Sequence, residues 1–135
     1  TVGKSYRGNI EGSDPKHSFH CFGGDDTLYV FEAPIDLLSY ISLHPQNWEA
    51  HNYVSCCGVS ALPVREAVRQ LPEVEQVYLC LDNDEAGHAA CTRMMELLKE
   101  QNLSMTRLVP QYKDWNDDLT VGDESVHGLT LTEMG

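Results

Sequence analysis

From residue 27 onward the chain alternates short apolar runs with longer amphipathic stretches, and that alternation sets the expected architecture. Leu28-Tyr29-Val30-Phe31 is apolar without a break, as a strand covered on both faces requires. Pro34 suits the first turn of a helix, which Ile35, Leu37, Leu38 and Ile41 continue with apolar spacing. Residues 52–57 predict a second strand ended by Gly58, and Pro63 opens a helix reaching about residue 70. Residues 76–81 (QVYLCL) predict a third buried strand. A long helix follows over about 85–101, with Ala89, Ala90, Met94, Leu97 and Leu98 on its apolar face. One more strand over 104–109 precedes Pro110, and residues 116–119 suit a short last helix.

Strands alternating with helices imply crossover connections, hence an α/β fold with a mainly parallel sheet of about four strands flanked by helices. The glycine-containing, polar residues 1–26 add an expected N-terminal β-hairpin, with strands over 5–10 and 16–22 about the turn Glu11-Gly12-Ser13-Asp14. The expected organisation is a hairpin extension at 1–26, a core at 27–120 and a flexible C-terminal tail at 121–135. With 135 residues, one domain is the expectation. The opening Thr1-Val2-Gly3-Lys4 has neither an initiator Met nor a signal-peptide pattern, which suggests a piece of a longer cytoplasmic protein.

Ligands of open parallel sheets bind beyond the carboxyl ends of the strands. Acids stand there repeatedly. Glu32 directly follows the first strand, with Asp36 one helical turn on. Asp82 follows the third, with Asp84 two residues later and projecting to the same side. Beyond the last strand comes Lys113-Asp114-Trp115-Asn116-Asp117-Asp118. Each group has a plainer reading: Asp82 or Asp84 as a helix N-cap, Glu32 as an ordinary strand-end acid, residues 114–118 as a solvated turn. Three such groups at equivalent topological positions favour one shared site. Clustered carboxylates repel unless a cation compensates, and hard oxygen donors suit Mg²⁺, or Mn²⁺ in its place.

Charge sharpens this picture. Nine Lys and Arg against 21 Asp and Glu leave a net charge of −12, which repels phosphate backbones. Nucleic acid would therefore be bound through other domains of a parent protein. Hydrophobic residues at 41% suffice for a core, but no run approaches the roughly 18 apolar residues that cross a bilayer. The cysteines, Cys21, Cys56, Cys57, Cys80 and Cys91, are odd in number, without disulfide-like spacing, and read as buried free thiols. Asp82-Asn83-Asp84-Glu85-Ala86-Gly87 resembles the start of an EF-hand loop, but Ala86 and Arg93 occupy positions that need acids. Walker-A and GxGxxG loops are absent, and no His or Cys spacing suits zinc. The six histidines receive no role.

Glu32 after a hydrophobic strand, then Asp82-x-Asp84-x-x-Gly87 after a later one, resembles the TOPRIM domain of bacterial primases, topoisomerases and OLD-type nucleases. Residues 28–39 (LYVFEAPIDLLS) resemble the TOPRIM-like branch of plasmid and conjugative-element proteins. Lys113-Asp114-Trp115-Asn116-Asp117 resembles the Lys-Asp-x-Asn-Asp signature of primase-like members. The resemblance spans about residues 27–119. It implies Glu32 in acid–base chemistry or metal binding, Asp82 and Asp84 on Mg²⁺, and Gly87 at the close turn into the helix. Asp36, Lys113, Asp114, Asn116 and Asp117 would support them. Ala33 stands where the family often has Gly, which argues against a topoisomerase. The function implied is metal-dependent, primase-like nucleotidyl transfer with nucleoside triphosphates, in replication or transfer of a mobile element. A nuclease using the same acids and a non-catalytic nucleotide- or metal-binding module remain alternatives, because the fold serves several reactions.

Overall fold

A computed structural model describes residues 19–56 and 60–122. The element order is β1 (His20–Phe22), β2 (Thr27–Phe31), α1 (Pro34–Leu43), β3 (Asn52–Ser55), α2 (Leu62–Gln70), β4 (Gln76–Leu79), α3 (Glu85–Leu98), a 3₁₀ turn (Lys99–Gln101) and β5 (Ser104–Arg107). Residues 115–122 form a fourth helix, α4. The five strands make one sheet in the order β1-β3-β2-β4-β5. The last four run parallel, and β1 pairs antiparallel with β3. The expected α/β sheet is therefore present, and β1 falls within the strand expected over 16–22. The outer arm, expected over 5–10, lies outside the described residues, as do Cys57 and residues 123–135 of the expected tail.

The inner parallel strands β2, β3 and β4 are packed on both faces, which explains their apolar character, whereas the edge strand β5 alternates exposed and half-buried residues. Leu28, Val30, Val77 and Leu79 point to one side. They pack with Val64 and Ala67 of α2 and with Ala90, Met94 and Leu98 of α3. Phe31, Tyr53 and Cys80 point to the other, against Leu37 of α1 and Trp115 of α4. On that second face Tyr29 stacks between its register partners Tyr53 and Tyr78, with ring centroids 5.3 and 5.0 Å away. Cys56, Cys80 and Cys91 are buried and Cys21 is partly buried, and none of these four is disulfide-bonded.

Two helices depart from the sequence expectation. In α1 the buried residues are Asp36, Leu37 and Ser39, whereas Ile35 and Leu38 are 54% and 47% exposed. The helix turns a partly polar face inward because that face meets the acidic end of the sheet. In α3 the buried stripe is Gly87, Ala90, Cys91, Met94 and Leu98, and Ala89 and Leu97 face outward. The α-helix ends at Leu98 rather than near 101. Its last turn tightens into the 3₁₀ segment, and Asn102 leaves it in the left-handed conformation at φ 61°.

The register places the strand ends level. Phe31 lies beside Ser55, Val30 beside Leu79, and Leu79 beside Arg107. Glu32, Cys80 to Asp82, and the segment after Leu108 thus emerge along one edge of the sheet.

Candidate metal centre at the carboxyl edge of the sheet

Three acids from three elements converge at this edge. One carboxylate oxygen each from Asp36, Asp82 and Asp114 lie within 4.8 Å of one another. Asp36 arrives because Pro34 starts α1 directly after β2, placing residue 36 in the first helical turn. Asp36 is 3% exposed, and its carboxylate accepts a hydrogen bond from the Asn116 main-chain amide at 3.1 Å. The Asn116 side chain in turn accepts from the Ser39 hydroxyl at 3.3 Å. Asp114 Oδ1 accepts from the Asp117 amide at 2.8 Å, holding the start of α4. Trp115 locks that start onto the sheet by donating from Nε1 to the Cys80 carbonyl at 2.9 Å.

Asp82 is the centre of the group. Its amide donates to Glu32 Oε1 at 3.2 Å, which sets Glu32 beside the triad. Its own Oδ1 is buried with no hydrogen-bond partner. A buried carboxylate oxygen without a donor is costly in an apoprotein and is accounted for if a cation supplies the missing partner. Burial pushes the Asp82 carboxyl up to about 7, with further increases from the charges of Glu32, Asp36, Asp114 and Asp84. Burial raises Asp36 to about 6 against the opposing hydrogen bond from Asn116. Glu32 is also raised, chiefly by burial, with the Asp82 amide acting in the other direction.

The remaining sequence candidates take distinct places. Asp84 is the N-cap of α3, its Oδ1 accepting from the Gly87 amide at 2.7 Å. Gly87 is where the helix passes the Asp82 peptide: a Cβ there would lie 2.1 Å from the Asp82 carbonyl oxygen. Lys113 is exposed, and its carbonyl accepts from the Asn83 amide at 2.6 Å. Asp117 is exposed and contributes to the site through its charge on Asp36.

Sequence reading missed the loop fasteners. Asn83 also donates from Nδ2 to the Pro110 carbonyl at 3.2 Å, and Asp118 accepts from the amides of Gln111 and Tyr112, both at 2.8 Å. The capacity of Asn and Asp side chains to hydrogen-bond main-chain groups is the available signal for such roles. It does not say which segment they will grip.

The family profile described as Toprim-like matches residues 29–119, which contain the whole edge from Glu32 to Asp118. The chain belongs to the Toprim-like family. It is 30% identical over 122 residues to the uncharacterized protein pXO2-78 of Bacillus anthracis, covering 78% of this chain and 36% of that protein. It is 29% identical over 94 residues to the uncharacterized MG010 homolog of Mycoplasma pneumoniae, covering 68% of this chain and 42% of that one. The chain thus spans well under half the length of these relatives.

Among solved structures it resembles the primase fragment of the bacteriophage T7 primase-helicase, with a TM-score of 0.59 and 24% identity over 75% of this chain and 41% of that one. A second T7 structure, of the lagging-strand DNA polymerase with primase domains of two gp4 subunits, an RNA/DNA hybrid and dTTP, gives 0.56 and 24% over 77% and 52%. At that identity the likeness establishes the shared fold. No helix among the described residues is long and apolar enough to cross a membrane.

Proposed function

We propose that this Toprim-like domain is the metal-dependent, primase-like nucleotidyl-transfer module of a larger protein. The observation that carries the reading is Asp82 Oδ1, buried and unpartnered, with oxygens of Asp36 and Asp114 within 4.8 Å. Carboxylate oxygens alone form this donor set, which fits Mg²⁺ or Mn²⁺. Asp82, Asp36 and Asp114 would hold the ion, with Asp84 through its second oxygen and Glu32 at the flank. Such an ion supplies charge stabilisation to phosphoryl oxygens.

The chain's own groups divide the remaining work. Glu32, raised by burial and oriented by the Asp82 amide, is the group able to hold or move a proton beside the site. Asn116 and Ser39 keep Asp36 in place, and Asn83 ties the loop bearing Asp114 to the loop bearing Asp82. Nucleoside triphosphates are the small-molecule substrates in this reading. Template binding falls to other parts of the parent, since a chain of net charge −12 repels nucleic acid. The likeness of residues 28–39 to the branch found in plasmid and conjugative-element proteins supports replication or transfer of a mobile element as the setting, and a cytoplasmic location goes with that role.

The test is incorporation of labelled nucleotide by the full-length parent on single-stranded template with Mg²⁺, compared with its Glu32→Gln and Asp82→Asn forms. Template-dependent extension lost in both variants is the expected result. Shortening of the template without nucleotides would replace this reading with a nuclease, and activity untouched by Glu32→Gln would make the domain a non-catalytic module.

A further inference from the structure

A guanidinium is built into the wall of the acidic site. Arg107, the last residue of β5, stands in register beside Leu79 of β4. Its Nη1 donates to the Leu81 carbonyl at 2.7 Å, with longer contacts to the carbonyls of Leu79 and Leu108 at 3.3 and 3.4 Å. Its Nη2 donates to the Asp82 carbonyl at 2.7 Å and to Nδ1 of His88 at 3.0 Å. An arginine near carboxylates ordinarily forks onto one of them. These contacts go instead to the main chain around Asp82 and to one imidazole.

The consequence is a fully fastened peptide on either side of the central acid. The Asp82 amide is held by Glu32, its carbonyl by Arg107, and the next amide, of Asn83, by the Lys113 carbonyl. The same Asp82 carbonyl is pressed against Gly87, where no side chain would fit. The backbone of Asp82 is thus anchored on both sides, while its Oδ1 is buried without a donor. Arginine has no acceptor, so His88 Nδ1 must accept, which places the imidazole proton on Nε2.

We propose that Arg107 is a positioning residue for the cation site. It fixes the direction of the Asp82 carboxylate through the Leu81 and Asp82 carbonyls, and it holds His88 as the Nε2–H tautomer. The first half rests on the cation reading given above, whereas the tautomer of His88 does not depend on any metal.

Arg107→Lys keeps the charge and removes the fork, and Arg107→Gln is the neutral second variant. Leu98→Val, in the buried stripe of α3, serves as a control that destabilises without touching the site. Mn²⁺ affinity is measured by paramagnetic resonance on the full chain, alongside melting temperature and the imidazole ¹⁵N spectrum. The expected result is Mn²⁺ binding about tenfold weaker in the Arg107 variants, as for lost outer-sphere support of a ligand. The control should bind as wild type, and the His88 signals should move from a single Nε2–H pattern to a mixture. Arg107 variants that bind Mn²⁺ within twofold of wild type, or a His88 pattern unchanged in them, would overturn the positioning role. Failure of both variants to fold would overturn it too, by showing that the clamp holds the fold. A wild type that never binds Mn²⁺ would sink the cation reading and with it the first half, and the imidazole spectrum alone would then decide the second.

Discussion

Asp36 and Asn116, 80 residues apart, meet through a hydrogen bond from the Asn116 amide to Asp36 Oδ1 at 3.1 Å. It joins the turn after β2 to the start of α4, and it does so with an acid whose pKa is raised by burial. Asp36 therefore has two separable jobs, an acceptor for Asn116 and a charge for a cation. Asp36→Asn keeps the acceptor and removes the charge. It should fold at least as stably as wild type without metal and bind Mn²⁺ at least about tenfold more weakly. Asp36→Ala leaves the Asn116 amide without its partner and should cost about 1–3 kcal/mol in denaturant unfolding. Equal stability of the two variants would show that the hydrogen bond contributes nothing.

Gly87→Ala tests how close the helix comes to the site. The new Cβ would sit 2.1 Å from the Asp82 carbonyl oxygen, a main-chain atom already gripped by Arg107. Neither side can yield as a flexible side chain would. The substitution should destabilise by about 1–3 kcal/mol or more, as overpacking does, despite alanine's better helix propensity. A variant as stable as wild type would mean that the 82–87 turn relaxes freely.

The sheet was legible because inner parallel strands covered on both faces leave unbroken apolar runs, as at residues 28–31 and 77–81. The acids were legible because topology places strand ends together, and Glu32, Asp36, Asp82 and Asp114 all follow that rule. What the sequence hid were facing directions and grips. Ile35 and Leu38 look like core residues by type, yet α1 turns Asp36 and Ser39 inward because they are answered by Asn116. Arg107 reads as an ordinary basic residue at a strand end, and only the neighbouring strand's carbonyls give it a task. Such contacts depend on side-chain reach between elements distant in sequence, which periodicity does not encode.

Asp84 can be a cap, a cation ligand or both, and two substitutions separate these. Asp84→Asn retains a side-chain oxygen for the Gly87 amide and should change stability by only a few tenths of a kcal/mol, about the spread among good N-caps. Asp84→Ala removes the cap and should cost about 1 kcal/mol. If the second oxygen of Asp84 faces the cation, both variants lose Mn²⁺ affinity by about tenfold. Wild-type affinity in Asp84→Asn would confine this residue to capping.

The raised acids at the centre make the fold's stability depend on pH. In the metal-free fold Asp82 titrates near 7 and Asp36 near 6, both well above the ordinary 3.8. Between about pH 4 and 7 the folded protein therefore keeps protons that the unfolded chain has released. Stability from these two groups is complete below pH 4, falls as pH rises through that window, and is gone above the folded values. Other groups also titrate, so the informative quantity is the difference between wild type and Asp82→Asn. Without metal, the variant's advantage in melting temperature should be near zero at pH 4 and should grow steadily to pH 8. Saturating Mg²⁺ favours the ionised acid and should shrink or reverse that gap at pH 8 while leaving it unchanged at pH 4. Parallel melting curves of the two proteins across the whole range would mean that Asp82 is already ionised, and its buried oxygen already satisfied, without a cation.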